Sequence, residues 1–195
     1  MAFLRKVGFF EPEPVIESGA ILLRPPRMGD YESWVHLRRE SREFLTPWEP
    51  TWPADDLTRS AYRSRVKRYL RDIREDAGYA FLLFNAKTGR LAGGLTLSNI
   101  RRGAAQTASL GYWIGLPFAR HGMMTTAVRA VLPFGFETLK LHRIEAACLP
   151  SNEPSLRLLR RTGFTEEGFA RGYLKIDGVW RDHVLFAMLA GDIRP

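Results

Sequence analysis

The spacing of apolar and polar residues along the chain predicts an alternation of strands and helices. Short apolar or alternating runs, which are typical of strands, occur at 20–24, 79–85, 91–100, 106–114, 142–149, 169–176 and 179–189. Apolar residues at helical spacing predict helices around Trp34, from Asp55 to Ala77, from Met123 onward and from Asn152 onward. Between the last two strands, Asp177-Gly178 is a strong hairpin signal.

The stretch 111–126 is predicted to be a strand, a basic loop and a helix. Leu110–Ile114 is an apolar run, Pro117 prevents its continuation, and Arg120-His121-Gly122 forms a basic turn before a helix at Met123. The start of a helix carries unpaired N–H groups and a partial positive charge, and a glycine lets an anion approach the backbone. We therefore predict a phosphate-binding loop, although neither common nucleotide-binding pattern is present. A turn that binds nothing is the alternative.

Two further segments suggest binding surfaces. The segment 44–53 is rich in proline and tryptophan, with Glu49 between Trp48 and Trp52, and is predicted to be either a hydrophobic plug or the wall of a substrate site. The helix that follows is strongly basic, with Arg59, Arg63, Arg65, Lys67, Arg68, Arg71 and Arg74. Such a face attracts polyanions if it is not simply solvated.

Composition narrows the functional classes. The 195 residues, 45% of them apolar, predict one domain with a loosely held lead-in at residues 1–18. No apolar run is long enough for a bilayer, the N-terminus is a poor secretion signal, and the single Cys148 fits a reducing compartment, so we expect a cytoplasmic protein. The formal net charge of +8 favours anionic partners. His36, His121 and His142 lack metal-binding spacing, and we expect no metal.

The order of elements and several motifs resemble the GNAT acyltransferases. LGYWIG followed by ARHGMM resembles that family's acetyl-CoA strand and pyrophosphate loop, and HRIEAACLPSNEPSLRLLRRTGFTEEG resembles its next strand and helix. FLTPWEP and GYLKIDGVWRDHVLFAML are similar to the ribosomal-protein-alanine N-acetyltransferases within that family. The loop departs from the family's usual pattern of Gln or Arg, two residues, Gly, one residue and then Gly or Ala: the corresponding positions are Ala119, Gly122 and Met124, and the arginine stands one place later, at Arg120. The resemblance covers nearly the whole chain from Ala20.

This resemblance implies an α+β fold with a mixed, mostly antiparallel central sheet of about seven strands flanked by about four helices. It also implies acetyl-CoA as cosubstrate, bound by the strand, the loop and the start of the last helix. The predicted cofactor-binding residues are Trp113, Ile114, Gly115, Arg120, His121, Gly122, Met123, Met124, Thr125, Asn152 and Ser155.

Acetyl transfer to an amine needs a neutral amine, a stabilised oxyanion and a proton donor for the departing thiolate. Backbone N–H groups of 113–115 are expected to polarise the thioester carbonyl if the strand splays there. Ser155 matches the family position of the thiolate's donor, with helix capping as the alternative role, and Tyr173 is a second candidate donor. Glu49 is the predicted general base, because an apolar setting makes a carboxylate a better proton acceptor.

The resemblance also implies an acceptor, namely the N-terminal α-amine of a protein, with alanine as its first residue and ribosomal proteins as the expected partners. The basic helix suggests a contact with RNA or the ribosome. Two other classes remain open: a small-molecule amine acetyltransferase on the same fold, and a non-catalytic module that binds RNA or ribosomes.

Overall fold

The structure, a computed structural model, describes residues 13–192, and its centre is one sheet of eight strands. The strands are β1 (Ile16–Ser18), β2 (Ile21–Arg24), β3 (Tyr79–Asn85), β4 (Leu91–Arg101), β5 (Thr107–Ile114), β6 (Arg143–Cys148), β7 (Thr165–Ile176) and β8 (Val179–Leu189). Their order across the sheet is β1-β2-β3-β4-β5-β6-β8-β7. Only β5 and β6 pair in parallel among these described strands, which confirms the predicted α+β fold with a mixed, mostly antiparallel sheet.

The described helices are α1 (Tyr31–Glu40), α2 (Arg42–Leu45), α3 (Arg59–Arg74), α4 (Met123–Pro133) and α5 (Glu153–Arg161). α4 ends at Pro133, as its missing N–H predicts, and a π-helical turn follows. α5 begins after Asn152, whose side-chain oxygen accepts the N–H of Ser155 at 3.2 Å. Gly163, with φ of 95°, follows its end.

The sheet separates two hydrophobic cores. One core lies under α4 and α5 and includes Val128, and the other lies under α1 and α3 and includes Tyr62. Successive side chains of a strand point to opposite faces. Accordingly, Tyr112 and Ile114 of β5 pack against the first core, whereas Trp113 packs against the second. The predicted central strand therefore contributes side chains to both faces of the sheet.

Two short elements raise the counts above the predicted seven strands and four helices. β1 pairs with β2, so its residues 16–18 are part of the sheet and not of a loose lead-in, whereas residues 1–12 lie outside the described residues. α2 ends within the proline- and tryptophan-rich segment 44–53 and includes its first two residues. α3 begins at Arg59 and not at Asp55, because the Thr58 hydroxyl caps it by accepting the N–H of Ala61 at 3.2 Å.

Candidate active site

A gap opens between the two parallel strands. β5 and β6 pair from Thr107–Arg143 to Ser109–Glu145 and then diverge. Beyond that point β5 stays bonded to β4 as far as Ile114, and β6 stays bonded to β8 as far as Cys148. The gap therefore lies at the carboxyl ends of two parallel strands, which is where open sheets bind ligands. β5 is therefore separated from β6 at residues 113–115, which is the condition for the predicted polarisation of the thioester carbonyl by backbone N–H groups.

The backbone of β5 offers donors to this gap. The N–H of Gly115 donates to the carbonyl of Ala92 at 2.8 Å, on the β4 side. Backbone N–H groups point alternately to the two sides of a strand. The N–H of Trp113 therefore also points toward β4, whereas the N–H groups of Tyr112 and Ile114 point into the gap. Of the N–H groups of 113–115, which were predicted to polarise the thioester, only that of Ile114 points into the gap.

The basic loop leads from β5 into the start of α4. Arg120 has φ of 64° and Gly122, the N-cap, has φ of 77°. The first intrahelical bond is from the N–H of Thr126 to the carbonyl of Gly122 at 3.0 Å, and no side chain caps the helix. The N–H groups of 123–125 therefore lack intrahelical acceptors, and the exposed Arg120 and His121 add donors beside them. This arrangement suits a pyrophosphate.

Ser155 bridges the gap from the start of α5. Its hydroxyl oxygen lies 2.7 Å from the Tyr112 hydroxyl of β5. Burial raises the pKa of the Tyr112 phenol, and the bond with Ser155 offsets part of the rise. Burial likewise raises the pKa of the Cys148 thiol, with a smaller opposing effect from Ser155. Asn152, a predicted cofactor ligand, uses its side-chain oxygen as the cap of α5.

α1 braces the far end of β5. Gly115 packs so closely on Leu37 that an added Cβ would overlap that side chain. The Ser41 hydroxyl accepts the N–H of Leu116 at 2.9 Å. These contacts hold the end of β5 against α1 and place Arg38, between Leu37 and Ser41, beside Trp113.

On the face of the sheet opposite Ser155 lies a cavity of about 620 Å³. Its walls include Trp34, Arg38, Glu49, Trp52, Tyr69 and Trp113. The indole of Trp113 lies directly over Gly94, where an added Cβ would come within 2.5 Å of its ring nitrogen. At the neighbouring Gly93 it is the backbone of β5 that packs closely, because an added Cβ would overlap the carbonyl oxygen of Trp113. A ligand in this cavity would reach β5 from the side opposite to Ser155.

Glu49 is held in this wall by an ion pair. Its carboxylate accepts two hydrogen bonds from Arg38, at 2.8 and 2.6 Å, and one from the indole N–H of Trp52 at 2.7 Å. The guanidinium carbon of Arg38 lies 4.0 Å from the ring centre of Trp52 and 4.9 Å from that of Trp113. Nε of Arg38 is the one fully buried side-chain nitrogen or oxygen without a hydrogen bond in residues 13–192. The predicted tryptophan-rich segment thus packs on α1 and also lines the cavity.

Tyr173 lies on the outermost strand, β7. Its side chain is 47% exposed and its ring lies edge-on to His183, with 5.6 Å between ring centres. None of its described contacts joins it to Ser155. The turn after β7 reaches the cavity instead, because the N–H of Asp177 donates to the carbonyl of Glu49 at 3.0 Å.

Basic residues form a stripe along α3, on a side of the helix that does not line the cavity. Its members recur every three or four residues and are therefore on one side of the helix: Arg59, Arg63, Lys67, Arg71 and Arg74. All five are exposed. Arg59 and Arg71 pair with carboxylates, whereas Arg63 and Lys67 form no ion pair within the described chain. The stripe therefore presents unneutralised charge.

Two other kinds of feature are absent from residues 13–192. No group of three or more histidine, cysteine, aspartate or glutamate side chains there is arranged to hold a metal ion. No helix in that part of the chain has the length and apolar character needed to cross a membrane.

Sequence reasoning missed Tyr112 and Arg38. Tyr112 belongs to the predicted strand, and alternation along that strand would have placed it opposite Trp113, but its contact with Ser155 joins segments that are 43 residues apart. Arg38 follows Trp34 by four residues, on the apolar side of its helix, and a buried arginine there requires a carboxylate partner. That spacing was the available signal.

Comparison with known proteins gives a family and several close relatives. Residues 20–165 match the family described as Acetyltransferase (GNAT) domain. "Probable N-acetyltransferase YjcK" of Bacillus subtilis (strain 168) is 39% identical over 178 residues, which is 91% of this chain and 98% of that protein. The "[Ribosomal protein uS5]-alanine N-acetyltransferase" of Escherichia coli (strain K12) is 36% identical over 169 residues, 87% of this chain and 84% of that protein.

A solved structure has the same architecture. Mycobacterium smegmatis RimJ in complex with CoA-disulfide superposes with a TM-score of 0.86 and 34% sequence identity. The match covers 95% of this chain and 88% of the RimJ chain.

Proposed function

Because this chain belongs to the GNAT acetyltransferase family and is an N-acetyltransferase that uses acetyl-CoA, as predicted, we propose that its acceptor is the N-terminal α-amine of a ribosomal protein whose first residue is alanine. The name of the Escherichia coli relative, at 36% identity, supports this acceptor. A ribosomal acceptor also places the proposed reaction in the cytoplasm.

We assign acetyl-CoA to the gap and the loop. Its pyrophosphate would accept hydrogen bonds from the N–H groups of 123–125 and from Arg120 and His121, with Gly122 allowing the close approach. Its amide-containing arm would run between β5 and β6 and take up the backbone hydrogen bonds that the diverging strands no longer make with each other.

One observation supports the proposed site of reaction most directly: two adjacent side chains of β5 lie on opposite faces of the sheet. Tyr112 meets Ser155 on the cofactor side, and Trp113 lines the cavity on the other side. A thioester in the gap and an amine in the cavity would therefore meet at this strand. The N–H of Ile114 is the proposed donor to the thioester carbonyl, where negative charge develops during attack.

The proposed chemistry is direct attack by the amine nitrogen on the thioester carbon. The C–S bond then breaks with its electron pair moving to sulfur, and the proton released by the nitrogen leaves through Glu49 or water. Ser155 is the proposed donor to the leaving sulfur, because it lies at the gap, and Tyr173 remains the second candidate. In this scheme Glu49 is oriented by Arg38 and Trp52 at the cavity wall.

An α-amine is a chemically easier acceptor than a lysine side chain. With a pKa of about 7.7 to 8.0 it is neutral in roughly a tenth of molecules at pH 7, whereas a lysine amine near 10.4 is neutral in about one of 2,500. The difference corresponds to about 3.5 kcal/mol of deprotonation that the enzyme need not supply. A weak base, either Glu49 or water leading to bulk solvent, is then sufficient.

Two peptides of the same sequence test the acceptor. One has a free N-terminal alanine, and the other has a blocked N-terminus and an internal lysine. We expect acetylation of the first, measured by mass spectrometry, to be faster by at least about tenfold, because about 250 times more of its amine is neutral at pH 7. Equal or faster acetylation of the blocked peptide would contradict the proposal, and turnover of polyamines but neither peptide would favour the small-molecule alternative.

The stripe on α3 supports a contact with ribosomal RNA during this reaction. It extends over fifteen residue steps, about 22 Å along the helix, which is long enough to follow several phosphates. Arg65 and Arg68, on the same helix, line the acceptor cavity. If the acceptor emerges from an RNA-rich particle, contacts between α3 and that RNA would hold it near the cavity. These contacts would add to those made by the acceptor's own N-terminus.

A further inference from the structure

We propose that Tyr112 is a positioning residue for thioester cleavage, which holds the hydroxyl of Ser155 so that its proton points toward the leaving sulfur. This inference rests on the role proposed above for Ser155, and it does not depend on which amine is the acceptor. Its basis is the 2.7 Å contact between the two hydroxyl oxygens at the edge of the gap.

Either hydroxyl can donate in this contact, and we assign the donor role to Tyr112. Tyr112 packs in the core under α4 and α5, and burial raises the pKa of its hydroxyl, so the phenol keeps its proton throughout the neutral range. Tyr112 can therefore act as the donor and the Ser155 oxygen as the acceptor. The single proton of Ser155 is then available for another group.

The surroundings of Ser155 already include a sulfur. Cys148 lies at the end of β6, across the gap from Tyr112, and Ser155 lowers the pKa of its thiol against the larger, opposing effect of burial. The hydrogen bond between Tyr112 and Ser155 thus joins β5 to the start of α5 beside this sulfur. A thioester sulfur between the strands would accept a hydrogen bond from the Ser155 hydroxyl.

During cleavage the charge on the leaving sulfur grows, and a fixed donor stabilises that charge more than it stabilises the bound thioester. Ser155 keeps its proton in this scheme and donates a hydrogen bond. The thiolate finally takes the proton that the amine released. Without the Tyr112 hydroxyl the Ser155 hydroxyl rotates freely, and part of its population donates elsewhere.

The test is a double-mutant cycle on turnover. Tyr112→Phe and Ser155→Ala are each expected to lower kcat about tenfold and to leave the Kd of CoA, measured by calorimetry, within about twofold of wild type. The double variant should be no slower than Ser155→Ala, because Tyr112 acts only through the serine. Tyr79→Phe, which removes a phenol that bonds to Asp76 away from the gap, is the matched control and should keep wild-type kcat.

A purely structural role for Tyr112 predicts other results. The two losses would then multiply to about a hundredfold in the double variant, or Tyr112→Phe would weaken CoA binding, and either outcome overturns the proposal. An acetyl thioester of a more acidic thiol gives a second readout, since the loss in Tyr112→Phe should shrink toward wild type when the leaving group needs less help. A loss that does not depend on the leaving group also overturns it.

Two further choices keep the result interpretable. If Tyr112→Phe does not fold, a ring-fluorinated tyrosine at position 112 replaces it, because its hydroxyl is a stronger hydrogen-bond donor. This variant should retain or raise kcat, and a clear fall would count against the proposal. Thiol release is measured with the amine that wild type acetylates fastest. Failure of the alanine peptide with wild type would therefore refute the proposed acceptor and leave this test intact.

Discussion

The two sides of β5 are built in different ways. On the cofactor side, the main features are backbone ones: a gap between parallel strands, a left-handed glycine and the open start of α4. On the acceptor side, the main features are side chains from distant segments, with Arg38 between two indole rings and bonded to Glu49. A site made of backbone groups suits a cosubstrate that is the same for every acceptor. A site made of side chains can be altered by single substitutions to suit a particular acceptor.

This difference has an energetic consequence. A backbone site makes little contribution to the folded state before its ligand arrives, because its N–H groups face solvent. A buried ion pair is different, since removal of one partner leaves an uncompensated charge. We therefore expect substitutions on the acceptor side to affect stability and substitutions on the cofactor side to affect binding.

The largest effect is expected from Arg38→Met. The side chains of Arg38 and Glu49 are only 8% and 19% exposed, so loss of the guanidinium leaves Glu49 poorly solvated without its partner. We expect the free energy of unfolding to fall by about 3 kcal/mol, measured by urea denaturation followed by tryptophan fluorescence. Arg42→Met is the control, because Arg42 is exposed and should change stability by less than about 0.5 kcal/mol. Equal losses in the two variants would show that the ion pair does not stabilise the acceptor side.

Gly122→Val tests the cofactor side. The position has φ of 77° with no atom within 4 Å of an added Cβ, so the new side chain would project into the space assigned to the pyrophosphate. We expect the Kd of CoA, measured by calorimetry, to rise at least about tenfold. Gly103→Val is a matched control, because Gly103 has φ of 64° and equally open surroundings in the turn between β4 and β5, at the other end of the sheet. A similar loss of affinity in both variants would point to backbone strain and not to the anion site.

The same difference explains how much could be predicted from the sequence. Features of the cofactor side depend on local patterns, so the strand before Gly115, the basic loop, the start of α4 at Met123 and the start of α5 after Asn152 were all predicted at or near their observed positions. The hairpin at Asp177-Gly178 is likewise confirmed, with φ of 43° and 79°. Local chemistry decides such features within a few residues.

The acceptor side could not be predicted in this way. Glu49 pairs with Arg38, which is eleven residues away on α1. The backbone carbonyl of Glu49 also accepts a hydrogen bond from Asp177, in the turn after β7. The start of α3 was predicted too early because two aspartates resemble a cap, whereas Asp56 is buried and paired with Arg65 at 2.5 Å. Both aspartate and glutamate are held by arginines on other segments, and single-sequence patterns do not contain such pairing.

A smaller effect is expected from Glu49→Gln, which asks whether the acceptor side also takes part in proton transfer. We expect kcat/KM to fall about three- to tenfold near pH 6 and to approach wild type near pH 9, because the α-amine loses its proton unaided above its own pKa. Asp56→Asn removes another ion-paired carboxylate from the same cavity wall and should lower activity by a factor that does not change with pH. A pH-independent loss in Glu49→Gln would limit Glu49 to a structural role.

The smallest effect concerns the surface around the acceptor side. If the α3 stripe contacts ribosomal RNA, the KM for an acceptor presented on a ribosomal particle should rise about two- to fourfold between roughly 50 and 200 mM salt, whereas the KM for a short peptide should stay nearly constant. Arg63→Gln combined with Lys67→Gln should weaken this dependence, because both side chains are exposed and form no ion pair in the described chain. Lys87→Gln combined with Lys140→Gln removes the same charge from exposed positions outside α3 and should leave the salt dependence unchanged. Equal effects of the two pairs would mean that net charge alone attracts the particle, and the stripe would then be a solvated face with no RNA contact of its own.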